Sequence, residues 1–263
     1  MNIALLGMGH MGSWFAREFS GSHKVAAYDI KSEKTMKVNK VEFMEDLEEI
    51  ASFKPDLLVN AVSLQNTIAA FEDAMPHVPP DCIICDTASI KGDLASFYLN
   101  IGRRFVSVHP MFGPTFADMS SLAGEGAIIL KESCSEGTEF FKTFFKGLGL
   151  NIFEYSFSEH DKMMAYSLTL PFISTMVFAS CVDEGAVPGT TFAKHMKIAK
   201  GLMSEDNNLI GEVLFNSHSL PELDKITAML EYLKHIVRDK DMEELSGFLN
   251  KLKRNIPSAT VVK

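Results

Sequence analysis

The sequence predicts an α/β fold, a doubly wound and mostly parallel sheet over residues 1–157, followed by an all-helical region over residues 158–263. Three observations carry this reading. Short apolar runs of strand length alternate with helix-length segments through the first part. The first of these runs passes directly into a G-x-G-x-x-G loop. After Ser158 the strand-like runs stop, and only helical periodicity remains.

Asn2 to Leu6 is the first expected strand, and Gly7-Met8-Gly9-His10-Met11-Gly12 follows it and opens a helix. Each glycine has its own task. Gly7 makes the tight turn, Gly9 lets backbone approach a pyrophosphate, and Gly12 lets helix and strand pack closely. The helix then directs its unpaired N–H groups and positive dipole end at the phosphates, with His10 and Met11 in its first turn. Lys24 to Tyr28 reads as the second strand, and Asp29 stands at its end, about 20 residues after the loop, where a ribose-binding carboxylate belongs. Such a carboxylate accepts ribose hydroxyls and repels a 2′-phosphate, which favours NAD over NADP. Lys31 and Lys34 act against that preference. Together these features specify a Rossmann-type dinucleotide-binding half.

The alternation continues with a helix over 45–52, a strand over 56–61, a helix over 65–75 and a strand over Cys82 to Cys85. A helix over 91–101, a strand over 104–108, a strand over 127–130, a helix over 136–146 and a strand over 151–155 complete this half. Ligands of such sheets bind beyond the carboxyl ends of the strands. The candidates are therefore Ala61 and Val62 for the cofactor, and the segments Asp86 to Ser89 and His109 to Met111 for chemistry.

His109 precedes Pro110, which holds its backbone extended. Its imidazole titrates near neutrality and suits the removal of a proton from a substrate hydroxyl. Ser89 is expected to bond the same hydroxyl or orient His109, or else to cap the helix beginning near Lys91. Thr115 offers a second hydroxyl, and Lys91 reads as a surface charge at a helix start.

Beyond Ser158, helices are expected over 159–182, 190–203, 206–218, 221–238 and 241–254, with Ser158 and Asp161 as a variant capping box. Residues 163–181 are apolar almost all round their helix, which points to burial against a partner subunit and hence to a homodimer.

Composition bounds the function. The chain has 263 residues, 46% of them hydrophobic and 22% charged, and a net charge of -9. An acidic chain does not track nucleic-acid phosphates, so no nucleic-acid partner is expected. No apolar run of membrane-spanning length is evident, and the start has no signal-peptide layout, so a cytoplasmic chain with no membrane partner is expected. Cys82 and Cys85 lie three apart in a strand, facing opposite sides, with no second pair at zinc spacing. No metal site is expected, and the four cysteines read as buried, reduced thiols.

These residues carry a resemblance. The glycine loop with Asp29, the segments Thr87-Ala88-Ser89-Ile90-Lys91 and Val108-His109-Pro110-Met111-Phe112-Gly113-Pro114, and Glu159-His160-Asp161-Lys162-Met163-Met164-Ala165 together resemble the prephenate dehydrogenase family over essentially the whole chain. The resemblance implies an NAD-dependent oxidative decarboxylation of prephenate to 4-hydroxyphenylpyruvate, in tyrosine biosynthesis, by a homodimer. His109 would act on the substrate hydroxyl and Ser89 would assist. Related readings are an enzyme for arogenate or another hydroxy acid, and a non-catalytic NAD-binding metabolite sensor.

Two departures are visible. Phe172 stands where many members have a histidine, and Gly201 stands where an arginine clamps a substrate carboxylate. Lys197 and Lys200, three apart on one helix face, are expected to supply the missing cation, with His195 as a helper. The expected substrate contacts are therefore Thr115, His160, His195, Lys197 and Lys200.

Overall fold

Eight strands form one sheet in the computed structural model, which describes residues 1–31, 38–183, 185 and 187–256. Lys34 lies outside the described residues, as does the tail after Ile256. In chain order the strands are β1 (Asn2–Leu6), β2 (Lys24–Tyr28), β3 (Val41–Phe43), β4 (Leu57–Asn60), β5 (Ile83–Asp86), β6 (Phe105–Pro110), β7 (Gly126–Leu130) and β8 (Asn151–Tyr155). Their order across the sheet is β3-β2-β1-β4-β5-β6-β7-β8. Every neighbouring pair is parallel except β6 and β7. The winding reverses between β1 and β4, and a crevice opens beyond their carboxyl ends.

Side chains alternate across the strands, so each strand feeds two cores. Ile3 and Leu5 join Trp14, Phe15 and Phe19 of α1 (His10–Phe19) and Phe141 and Phe145 of α5 (Ser135–Gly147). Ala4 and Leu6 face the other way, toward α2 (Glu49–Phe53), α3 (Leu64–Ala74) and α4 (Leu94–Ile101). Helices therefore cover both faces, as a doubly wound sheet requires. Each fully buried Phe contributes roughly 1.5–3 kcal/mol of transfer free energy, so the Phe-rich contact of α1 with α5 fixes the first helix firmly under the glycine loop.

Strand β3 is absent from the sequence-based expectation because it has only three residues, with an exposed Glu42 in the middle. Cys82 and Cys85 enter opposite cores, as their spacing implies. Burial pushes the Cys82 thiol up to about 12. All four cysteines are free, but Cys134 is only half-buried and Cys181 is exposed, contrary to the expectation that all are buried.

The helical region contains α6 (Phe157–Met164), a π-helical stretch (Ala165–Thr169), α7 (Leu170–Ser180), α8 (Thr190–Met203), α9 (Asn207–Leu214), α10 (Ser219–Asp239) and α11 (Met242–Asn255). The wider π winding ends at Leu170-Pro171, and Pro171 has no N–H to give to the preceding turn. The capping box of α6 uses Ser156 and Glu159, each side chain bonding the other's backbone N–H. The expected pair, Ser158 and Asp161, is displaced by two residues, and Asp161 is left for other partners.

Compactness divides the chain after Ser219, so the helices up to α9 belong to the same unit as the sheet, and residues 220–263 form a second unit. The change from α/β to helix at residue 157 is thus a change of composition within one unit. Counted through the π stretch, Phe157–Ser180 is a 24-residue helix containing an 18-residue window of mean hydropathy 1.4, long and apolar enough to cross a membrane by length and composition. This corrects the expectation that no such run exists. No residue of α7 is fully buried within the chain, and Val177 is 42% exposed.

Candidate active site

The glycine loop does what its spacing requires. Gly7 has φ +85, and a Cβ there would lie 2.9 Å from the Val62 nitrogen. At Gly12 a Cβ would lie 1.9 Å from the Gly7 carbonyl oxygen, so no larger residue fits between α1 and β1. At Gly9 nothing lies within 4 Å, and the backbone is open to a ligand. Gly9 is also the N-cap of α1 and provides no side-chain hydrogen bond to its first turn, which includes His10, Met11 and Gly12. An open backbone beside an uncapped helix start fits a pyrophosphate.

Asp29 closes this loop from the second strand. Its Oδ2 accepts the Met8 N–H at 2.7 Å and its Oδ1 accepts the Lys31 N–H at 2.8 Å. Each oxygen keeps acceptor capacity, as ribose hydroxyls would need. Ala61 donates its N–H to Leu6 at 2.8 Å and Val62 to Asn60 Oδ1 at 3.3 Å, so both stand at the crevice between β1 and β4.

A cleft of about 920 Å³ adjoins the loop. His10 and Met11 form one wall, Thr87 and Ser89 lie beyond β5, and His109 is in β6. Thr115, Phe116, Leu168 and Phe172 line it further out, with Ser204 to Asn207. Its charged lining is acidic: Glu125, Glu205 and Asp206 are present, and no Lys or Arg occurs among the described lining residues. Phe116 rests on α8, where a Cβ at Gly201 would meet its ring at 2.6 Å. The space that a side chain at 201 would need is filled from the opposite loop.

His109 is the penultimate residue of β6, inside the strand where the sequence suggested a position just after it. Although it lines the cleft, it is only 4% exposed. Its Nδ1 lies 3.1 Å from His160 Nε2, and His160 Nδ1 lies 2.8 Å from Asp161 Oδ1. Asp161 also accepts the Lys91 N–H on Oδ1 and the Gly92 N–H on Oδ2, both at 2.8 Å. Asn216 donates to the Asp161 carbonyl at 2.8 Å.

Burial first, then the neighbouring His160 and Lys91, hold the His109 imidazole well below the usual histidine range. Burial also lowers His160, against the opposing pull of the Asp161 hydrogen bond. For Asp161, burial acts upward, but the hydrogen bonds from His160, Lys91 and Gly92 outweigh it and keep the carboxyl low.

Lys91 corrects the sequence reading outright. It is a buried cation, 1% exposed, whose Nζ donates to Asp86 Oδ1 at 2.6 Å and to the Val108 carbonyl at 2.8 Å. Tyr98 donates to the other Asp86 oxygen at 2.8 Å. Helix α4 starts at Leu94 with Asp93 as its N-cap, so Ser89 is not its cap.

Of the expected site residues, His10, Met11, Ser89, His109 and Thr115 share the cleft. His160 does not face it: the residue is fully buried, with both ring nitrogens engaged behind His109. His195, Lys197 and Lys200 lie exposed on α8 and do not line the cleft, and His195 Nδ1 is occupied by the Thr191 carbonyl at 3.0 Å. The expected carboxylate clamp is therefore not formed within one chain. Sequence reasoning missed the buried Asp86–Lys91 pair with the half-buried Asp161 beside it, and the cleft acids Glu125, Glu205 and Asp206. A signal for the first group was available in the Asp at the end of an apolar strand with Lys five residues on.

The two depressed histidines tie stability to pH. Because His109 and His160 titrate below 6.5 when folded, the unfolded chain binds more protons as pH falls through 6.5. Their contribution is complete above that value and lost progressively below it. Urea unfolding followed between about pH 8 and about pH 5 should show stability falling toward acid, and His109→Leu should flatten part of the slope. A flat profile for the unmodified protein would contradict the desolvated state of these rings.

The geometry can be set beside known proteins. Residues 15–146, half of the chain, match the family model described as prephenate dehydrogenase, nucleotide-binding domain. A Methanocaldococcus jannaschii protein described as a probable arogenate/prephenate dehydrogenase is 29% identical over 164 residues, covering 59% of this chain and 36% of its own length. The T-protein of Enterobacter agglomerans is 25% identical over 154 residues, covering 55% of this chain and 40% of its own length. The aligned region thus spans about two fifths or less of these relatives. Among solved structures, the Aquifex aeolicus prephenate dehydrogenase in complex with hydroxyphenyl propionate and NAD+ superposes with TM-score 0.82 at 22% identity, covering 97% of this chain and 96% of that one. The Synechocystis arogenate dehydrogenase superposes with TM-score 0.73 at 17% identity, covering 97% and 98%. The fold is shared with both, and the family-model match over residues 15–146, half of the chain, establishes that this chain belongs to the prephenate dehydrogenase family.

Proposed function

We propose that this chain is an NAD-dependent dehydrogenase that oxidatively decarboxylates prephenate, or its amino-acid counterpart arogenate, in tyrosine biosynthesis. The observation that carries the reading is the desolvated His109 on one wall of a cleft whose other wall is the start of the glycine-loop helix. NAD bound on Gly7, Gly9, Gly12 and Asp29 would accept a hydride from the ring carbon that bears the hydroxyl. His109 takes the hydroxyl proton, Ser89 and Thr115 offer hydrogen bonds to the substrate, and loss of CO2 leaves its electron pair to the ring, which becomes aromatic.

The lining charges favour the second substrate. Prephenate is a dianion, and bringing it beside Glu125, Glu205 and Asp206 with no Lys or Arg among the described lining residues is costly. Arogenate replaces one keto group by an ammonium, which these carboxylates would attract. Purified protein with NAD and each substrate in turn, followed by absorbance of the reduced cofactor, should give the higher kcat/KM with arogenate. Turnover of neither would sink the reading.

His109→Leu should lower kcat by about 10²–10⁴-fold, or roughly 3–5 kcal/mol of barrier, with little change in NAD affinity. Near-normal turnover in that variant would remove His109 from the chemistry.

Asp29 is the residue proposed to select NAD. Titration of Asp29→Ala should show NAD weakened far more than NADP, whereas equal loss of both would mean that this carboxylate does not meet the ribose.

A homodimer is proposed through α7, whose apolar residues are half-buried or exposed, with none completely buried within the chain. Sedimentation at micromolar concentration should report twice the 29.1 kDa chain mass. A well-folded monomer would refute it.

A further inference from the structure

The polar chain behind His109 has a direction, which follows from counting donors and acceptors. Asp161 receives two backbone N–H groups, from Lys91 and Gly92, each at 2.8 Å. A carboxylate so placed is ionised and can only accept. The ring nitrogen facing it, His160 Nδ1 at 2.8 Å, must therefore carry a hydrogen. His160 is fully buried, and Lys91 already supplies a positive charge beside this cluster, so its imidazole is neutral and its other nitrogen, Nε2, is a bare acceptor. Across 3.1 Å, His109 Nδ1 must then be the donor. A neutral imidazole has one N–H only.

We infer that Asp161 and His160 are positioning residues that fix His109 as the Nδ1–H tautomer, leaving its Nε2 lone pair as the base that takes the substrate proton. This deepens the proposed function and rests on it for the role of the base, although the tautomer itself does not depend on any substrate.

The arrangement does two things for proton removal. It prevents His109 from adopting the other tautomer, in which Nε2 would carry a hydrogen and could only donate. It also answers the imidazolium formed in the step: the substrate O–H bond breaks, the proton goes to Nε2, and the new positive charge is met at Nδ1 by a His160 ring polarised by the Asp161 carboxylate. The proton on Nδ1 stays where it is. Asp161 is not a proton acceptor in this scheme, in the same way that the buried carboxylate of a Ser-His-Asp triad orients its histidine without being protonated. The charged groups around the pair are Asp161 from α6, Lys91 from the segment after β5, and Asp86 from β5. Lys91 and burial oppose a lasting positive charge on His109, so the ring returns to the neutral base after each proton is released.

The test has a substrate-free arm and a kinetic arm. In ¹⁵N-histidine spectra of the unmodified protein near neutral pH, the His109 signals, assigned by their loss in His109→Leu, should show a pyrrole-type Nδ1 and a pyridine-type Nε2. The reverse pattern would overturn the inference whatever the enzyme turns over. In the kinetic arm, His160→Phe removes the acceptor and should lower kcat on the order of 10²-fold while KM for substrate and NAD stays close to normal. It should also move the acid limb of kcat/KM. His160→Gln, whose side-chain carbonyl can accept the Nδ1 hydrogen, should recover much of kcat and keep the original tautomer pattern. Full activity in His160→Phe with folded spectra would refute the positioning role. A correct tautomer in a protein that oxidises neither prephenate nor arogenate would instead refute the proposed reaction and leave the tautomer assignment standing.

Discussion

Asp86 and Lys91 form the contact on which the rest of the site depends. Their 2.6 Å pair is almost fully out of water, and it is tied to three other elements. Tyr98 of α4 bonds Asp86, the Val108 carbonyl of β6 accepts from Lys91, and the backbone of Lys91 and Gly92 holds Asp161 of α6. A buried ion pair adds little net stability, because desolvation offsets most of its attraction, but losing one partner strands a charge at a cost of about 3–5 kcal/mol. Its value here is geometric. One lysine sets the end of β6, where His109 sits, and its backbone anchors the first helix beyond the sheet, which carries His160.

Much of this architecture was readable from residues alone, and the readable parts are those written in local pattern. The glycine loop, the strand before it and Asp29 were recoverable because turn geometry, period and spacing are properties of contiguous residues. Charge decided the failures. Lys91 looked like a solvated helix start because nothing local reveals that Asp86 and the Val108 carbonyl converge on it. His160 looked like a substrate contact because a motif shows which residues matter and not which side of the imidazole faces the ligand. The lysines of α8 were assigned to a clamp by helical spacing alone, and spacing does not say which way a helix turns toward a cleft.

The cleft brings together two ends of opposite sign. At the glycine loop, an uncapped helix start and open backbone favour an anion. At the outer rim, Glu125, Glu205 and Asp206 favour a cation. The separation gives one chain of net charge -9 a place for a pyrophosphate without a lysine in the loop.

Phe116 and Gly201 occupy one volume between them, with a virtual Cβ at 201 only 2.6 Å from the Phe116 ring. The two positions are therefore coupled, and substitutions at them do not add. A side chain installed at 201 requires the Phe116 ring, which is 62% exposed, to swing aside or the residue at 116 to become smaller, and a smaller residue at 116 uncovers this part of α8. A charged group introduced at this rim through position 201 therefore comes with a change at 116, either in where its ring lies or in its size.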